Sequence, residues 1–207
     1  MKIVDCPRLE VLDNLISKND CEDIIKFATP KLHRSVVIGR KIIPGRTSSD
    51  ATIHYEECNA AASVIDAVAN IFNVSVDCCE SMSAIRYNSG EYYRPHLDYG
   101  HPFENRRIAT AIVYLNDVSS GGETVFPQLR KAIKPKCGKM IYFRYDYPDE
   151  EINKSTLHGG RPPADGETKW IATVWVHEKP YKRIMMKELY YDERRLSMGR
   201  EVSPAQD

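Results

Sequence analysis

A histidine and an aspartate one residue apart, His96-Leu97-Asp98, stand in the stretch Tyr92-Tyr93-Arg94-Pro95-His96-Leu97-Asp98. In an extended strand, residues i and i+2 share a face, so this pair would aim an imidazole and a carboxylate at one point. Two ligands of that kind need a third, and His158 in Ser155-Thr156-Leu157-His158-Gly159-Gly160 is the candidate. Two imidazoles and a carboxylate on one side of an ion leave its other positions open to a bidentate acid and dioxygen, the ligand set of non-haem Fe(II) oxygenases. A bare His-x-Asp with a later histidine also arises by chance. The residues around the three therefore have to decide.

The elements that must position them are legible in outline. A chain of 207 residues can bury one sizeable domain, read here as residues 1–180 followed by a polar extension over 181–207. Asn19, with Glu22 three positions on, resembles a capping box, and Ile24, Ile25 and Phe27 give a helix face that Pro30 ends. Ala61, Val64, Ile65, Val68, Ile71 and Phe72 recur at helical spacing, predicting a long amphipathic helix over 56–72. After Asp77 the pattern changes to short extended runs over 83–88, 107–115, 139–145 and 170–178, separated by glycine and proline clusters. Helices followed by strands argue an α+β domain with an antiparallel sandwich or barrel. The stretch from Lys41 to Ala51, with its Pro44-Gly45 pair and small polar residues, reads as a turn or loop. From Tyr181 the chain turns polar, with a short helix expected around Met185, Met186, Leu189 and Tyr190.

Composition excludes several classes of partner. The formal net charge is zero and no basic block stands out, so neither nucleic acid nor an anionic membrane is expected. The first residues show no secretory pattern and no stretch is apolar enough to span a bilayer, so a cytoplasmic location is expected. Six cysteines without C-x-x-C spacing read as reduced thiols.

The neighbourhood then decides. The run Tyr87-x-x-Gly90-x-x-Tyr93-x-x-His96-x-Asp98 is followed by Tyr114-Leu115-Asn116-Asp117-Val118 and Gly121-Gly122-Glu123-Thr124-Val125-Phe126-Pro127. Leu157-His158-Gly159-Gly160 and Gly166-Glu167-Thr168-Lys169-Trp170-Ile171-Ala172-Thr173-x-Trp175 come next. Taken together these closely resemble the prolyl 4-hydroxylase family of 2-oxoglutarate-dependent Fe(II) oxygenases, over roughly Arg46 to His177.

The resemblance implies a double-stranded β-helix, or jelly roll, with supporting N-terminal helices and a metal at the barrel mouth. It implies hydroxylation of an unactivated C–H in a proline-containing peptide or protein, with 2-oxoglutarate and dioxygen consumed, succinate and CO2 released, and L-ascorbate as reductant. The metal ligands would be His96, Asp98 and His158. Lys169 matches the residue that takes the far carboxylate of 2-oxoglutarate, with Thr124 and Tyr87 assisting. A substrate groove would be lined by Glu80, Tyr93, Arg107, Trp175 and His177. The segment Arg46-Thr47-Ser48-Ser49-Asp50 resembles an R-T-S-x-G loop that folds over peptide, with Asp50 where the family carries glycine; Arg46 and Ser48 are its substrate-facing candidates.

Alternatives stay open at this level. The runner-up keeps the same chemistry on a free amino acid or another side chain, a choice set by groove contacts, and a non-catalytic peptide-binding module of the same fold would keep the framework. A module that only bound peptide would need none of His96, Asp98, His158 and Lys169. A zinc or two-carboxylate hydrolase lacks an H-E-x-x-H signature and a placed base. Oligomeric state is not legible.

Overall fold

A computed structural model describes residues 2–37, 41–99 and 105–180. The polar extension, the helix expected near Met185 and His101 lie outside the described residues.

Two helices come early. The first, α1 (Lys18–Ala28), is capped by Ser17, whose side chain accepts from the Asp20 N–H at 3.1 Å. The capping pair is therefore Ser17 with Asp20, two positions before the Asn19–Glu22 pattern: a serine hydroxyl at the true first turn satisfies a free N–H that Asn19, already inside the helix, cannot. The second, α2 (Asn59–Phe72), buries Ala60, Ala61, Val64, Ile65, Val68, Ala69 and Phe72 along one stripe. Asn73 ends it in the left-handed region at φ 53°, giving its N–H back to Ala69 and Asn70 carbonyls.

The strands in chain order are β1 (Lys2–Val4), β2 (Leu9–Leu12), β3 (His33–Arg34), β4 (Ser49–Ile53), β5 (Met82–Tyr87), β6 (Tyr93–His96), β7 (Arg107–Tyr114), β8 (Thr124–Phe126), β9 (Lys131–Ile133), β10 (Met140–Arg144), β11 (His158–Gly160) and β12 (Lys169–His177). They form an eight-stranded sheet, β1-β2-β10-β7-β12-β5-β4-β3, and a four-stranded sheet, β6-β11-β8-β9. Each of the four runs expected as strands is one, all in the large sheet. The fold is a double-stranded β-helix with supporting N-terminal helices.

Strand alternation divides the core in two. Met82 and Ala84 of β5, Ala109, Ala111 and Val113 of β7, and Trp170, Ala172, Val174 and Val176 of β12 pack outward onto α1 and α2. Their neighbours Ile85, Tyr87, Ile112, Tyr114 and Ile171 face inward toward the small sheet, meeting Phe126 and Ile133. Each such buried aliphatic contributes roughly 1.5–3 kcal/mol. The inward positions of β12 are thus Lys169, Ile171, Thr173 and Trp175, and they line one wall of the space between the sheets.

Two local expectations are corrected. The loop read over 41–51 ends earlier, because Ser49 to Ile53 pair in register with β5, Asp50 opposite Ile85 and Ala51 opposite Ala84. Small residues of weak strand propensity are held there by cross-strand pairing. Asp50 is accordingly ordinary extended backbone, and its site asks for no glycine. Secondly, β6 ends at His96, so Asp98 lies in the chain just past the strand rather than two places along it.

Candidate active site

A cavity of about 490 Å³ opens between the sheets. At one end are His96, Asp98 and His158, whose ligand atoms all lie within 4.8 Å of one another. Strand pairing puts them there: β6 and β11 run antiparallel with His96 and His158 as direct partners. Gly159 lets the two strands come this close, since a Cβ on it would meet Tyr93 O at 2.8 Å and Pro95 N at 2.9 Å. The turn after β6 then brings Asp98 in, with Oδ1 3.5 Å from His96 Nε2 and Oδ2 3.6 Å from His158 Nε2.

The donor set suits a divalent ion. Backbone carbonyls can only accept, so His96 Nδ1–H donates to Arg94 O at 2.9 Å and His158 Nδ1–H to Thr156 O at 3.1 Å. Both Nε2 atoms are thereby left as free lone pairs facing Asp98. Burial keeps the His158 ring neutral, its pKa pushed down to about 4 against the pull of Asp98. Burial pushes the Asp98 carboxyl up, but His158, His96 and Arg107 outweigh it and hold the carboxyl well below its ordinary range. Two neutral imidazoles and one carboxylate are what a 2-His-1-carboxylate iron site requires. Tyr93 stacks on His96 at 3.6 Å between centroids, and Phe143 and Phe126 close on His158.

Lys169 lines the same cavity. It is 1% exposed, with Nζ 5.0 Å from the Tyr87 ring centre and 5.8 Å from that of Tyr114. Burial lowers its pKa to about 7, with Glu123 pulling the other way. Gly160 leaves room beside it, a Cβ there standing 3.6 Å from Nζ. The Tyr114 hydroxyl lies 2.7 Å from Thr124 Oγ1 and 3.2 Å from the Ile133 carbonyl, and Thr124 lines the cavity beside it. The buried Tyr87 hydroxyl, whose pKa burial raises to about 12, neighbours Ser48. A buried cation in a cavity that Thr124 and Tyr87 also line fits a carboxylate.

The sequence-derived groove residues divide into two layers. Arg46, Tyr93, Arg107 and Trp175 line the cavity. Glu80, His177 and Ser48 stand behind them. Glu80 accepts from Arg107 at 2.5 and 3.0 Å and lies 2.7 Å from His177 Nε2. Burial works against its charge, but those partners keep its pKa lowered. Arg107 lies 4.2 Å over the Trp175 ring and also reaches Asp98 O at 3.4 Å. Trp175 Nε1 is buried without a hydrogen-bond partner among the described residues. Ser48 accepts from Arg46 Nε at 3.2 Å and donates to Ser35, while Arg46 Nη2 sits 3.8 Å from Asp50 and its guanidinium 4.9 Å from the Tyr93 ring.

Residues 82–177 match the family described as the 2OG-Fe(II) oxygenase superfamily. Probable prolyl 4-hydroxylase 7 of Arabidopsis thaliana is 32% identical over 88% of this chain and 66% of its own length. Prolyl 4-hydroxylase 5 of the same plant is 31% identical over 85% of this chain and 70% of its own. The chain belongs to the prolyl 4-hydroxylase family. It is a 2-oxoglutarate- and Fe(II)-dependent dioxygenase, and it spans about two thirds of the length of these plant relatives. Among solved structures, the viral collagen prolyl hydroxylase of Paramecium Bursaria Chlorella virus-1 in its 2OG complex superposes with a TM-score of 0.68 at 30% identity. That likeness covers 82% of this chain and 95% of the other.

Several cavity residues of this dioxygenase gave no signal in the sequence. Ile85 and Ile112 line the cavity but read only as strand filler, and Ile171 and Thr173 stand in the Gly166 to Trp175 motif without a role of their own. Their alternation with the outward core residues is the one pattern that marks them. All six cysteines are free thiols. No helix among the described residues is long and apolar enough to cross a membrane.

Proposed function

We propose that this dioxygenase hydroxylates prolyl residues at the 4-position in a peptide or protein. His96, Asp98 and His158 would hold Fe(II), and Lys169, with Thr124 and Tyr87, would hold the far carboxylate of 2-oxoglutarate. The observation that carries the reading is what one cavity brings together: the His96, Asp98 and His158 ligand set, a buried lysine without an ion-pair partner among the described residues, and a wall of isoleucines.

Fe(II) with 2-oxoglutarate and dioxygen supplies the oxidation of an unactivated C–H, with succinate and CO2 as co-products. The chain's own part is to bind and orient. Lys169 fixes one end of the co-substrate by a charge-assisted contact, and the hydroxyl of Thr124 stands beside it. Arg107, held by Glu80, stiffens the Trp175 ring, and His177 braces Glu80 from behind. The unpartnered Trp175 Nε1–H then has a donor to offer a peptide carbonyl. Arg46, backed by Ser48 and laid on Tyr93, closes the other side of the mouth. A flat, preorganised aromatic wall suits the rigid, extended backbone around proline. L-ascorbate would return oxidised metal to Fe(II).

The test is succinate release with Fe(II), 2-oxoglutarate and ascorbate in the presence of a proline-rich peptide or of free proline, with products read by mass. One oxygen gained on a peptidyl proline is expected. Succinate with an unmodified peptide and hydroxylated free proline would replace the substrate assignment. No succinate from metal-loaded protein would overturn the enzymatic reading.

A further inference from the structure

Beside Asp98, two hydroxyls stand in a file that the assignments above leave unused. Thr110 Oγ1 lies 2.7 Å from Asp98 Oδ2 and 2.9 Å from the Tyr145 hydroxyl oxygen. An ionised carboxylate can only accept, so the threonine hydrogen goes to Asp98. The threonine oxygen is then left to accept, so the tyrosine hydrogen goes to it. The directions of both bonds follow from the charge on Asp98 alone.

The two hydroxyls belong to the large sheet. Thr110 is an inward position of β7, and Tyr145, just past β10, is tied down by its N–H to Ile108 O at 3.0 Å. Asp98 follows β6 of the small sheet. The file therefore bridges the sheets at the ligand that no strand pairing holds. Thr110 and Tyr145 are 0% and 3% exposed. In such surroundings a charge-assisted bond is strong, and a second donor behind the first polarises it further. The Tyr145 ring is itself fixed, stacked on Tyr99 at 5.4 Å and packed on Phe143 at 6.1 Å.

We infer that Thr110, polarised by Tyr145, is a positioning residue that fixes the rotation of the Asp98 carboxylate. By engaging Oδ2 it opposes chelation of the metal through both oxygens, which would fill a position needed by the co-substrate. This rests on the metal-site reading above, and the test separates the two.

Mn(II), a redox-stable stand-in for Fe(II), is titrated into the full chain, with free Mn(II) read by electron paramagnetic resonance and folding checked by circular dichroism and thermal melting. Thr110→Val, nearly isosteric, should weaken Mn(II) binding by about 10- to 100-fold, the range for a lost outer-shell partner of a metal ligand. Thr110→Ser returns the hydroxyl and should recover most of the affinity. Tyr145→Phe should give a smaller loss, since Thr110 still donates. The visible spectrum of the Co(II)-loaded protein should change in Thr110→Val and not in Thr110→Ser, because it reports coordination number.

A folded Thr110→Val protein that binds Mn(II) within twofold of the parent, while His96→Ala does not bind, would overturn the inference alone. Unchanged binding in His96→Ala would overturn the metal site with it. Should Thr110→Val not fold, Tyr145→Phe decides, as it deletes one oxygen and keeps every ring contact: affinity and Co(II) spectrum both equal to the parent's would refute the file.

Discussion

Replacing Lys169 by methionine should stabilise the ligand-free fold and cost it its co-substrate. Lys169 is 1% exposed, and burial brings its pKa from 10.5 to about 7. At 1.36 kcal/mol per decade, the charge is penalised by (10.5 − 7) × 1.36, roughly 5 kcal/mol, of which roughly 4 falls on the fold at pH 7, where the lysine can partly deprotonate. Methionine keeps much of the stem's volume and carries no charge to bury. The sign of the pH dependence follows. Between about 7 and 10.5 the unfolded chain holds a proton that the folded chain has released, so this group makes stability rise with pH across that window and flat outside it. Lys169→Met should remove that rise and raise the melting temperature at pH 7, by about 2 to 4 °C for each kcal/mol recovered.

Binding should move the opposite way. A charge-assisted contact to a carboxylate contributes about 1.5 to 3 kcal/mol, so the dissociation constant for 2-oxoglutarate should rise by about 10- to 150-fold. In the parent protein that affinity should itself weaken above about pH 7, as Lys169 loses its proton. Scanning calorimetry at pH 7 and 9, with Mn(II), with and without 2-oxoglutarate, reads all of this. A variant that melts lower than the parent without ligand, or that keeps the ligand's stabilisation, would refute the reasoning.

Other substitutions probe the mouth and the framework. Trp175→Phe removes an N–H that is unpaired in the ligand-free protein, so it should leave melting and uncoupled 2-oxoglutarate decay unchanged while slowing peptide turnover by about 2- to 10-fold, one neutral hydrogen bond's contribution; equal effects on both rates would remove Trp175 from the groove. Gly159→Ala would press a methyl against the β6 backbone at 2.8 and 2.9 Å, and should cost about 1 to 3 kcal/mol on melting together with weaker Mn(II) binding; normal metal affinity would show that strand spacing does not set the ligand geometry. Asp50→Gly puts the family's glycine into a strand position and takes the carboxylate from beside Arg46, so it should destabilise by about 0.5 to 1 kcal/mol. A gain in stability or peptide turnover would mean that the loop needs backbone freedom after all.

The long elements and the framework of the site were legible because their signals are local. Val64, Ile65, Val68 and Phe72 show the period of a helix, and the apolar runs at β5, β7, β10 and β12 need no partner to be recognised. What the sequence concealed depends on pairing across the fold. Ser49 to Ile53 look like loop until β5 lies beside them, and the histidine at 96 closes its strand although the i, i+2 rule would carry the strand on to Asp98. The three candidate ligands nevertheless meet, because a turn can deliver a carboxylate to the same point that a continued strand would reach. Thr110 and Tyr145 could not have been found this way. A threonine and a tyrosine in strand-like runs are ordinary β-formers, and only their distance to Asp98 sets them apart.

That distance also bears on why the site needs two sheets. His96 and His158 are held by one antiparallel pairing within the small sheet, so their separation is a matter of register and of a glycine that lets the strands approach. Asp98 has no such pairing. Its carboxylate is oriented from across the cavity, through Thr110 Oγ1 and by the reach of Arg107 to its carbonyl, both anchored on β7. Lys169 and Trp175 stand on β12, the neighbour of β7 in the same sheet, with Trp175 paired opposite Thr110. On the proposed assignment the small sheet would supply two ligands, while the large one would supply the co-substrate's anchor, the groove's wall and the hold on the third ligand. Any shift of one sheet against the other would move Asp98 relative to the histidines and Lys169 relative to the ion at once. Metal geometry and co-substrate reach are on this account one structural variable, set by the inter-sheet packing of Ile85, Ile112, Ile171 and Phe126.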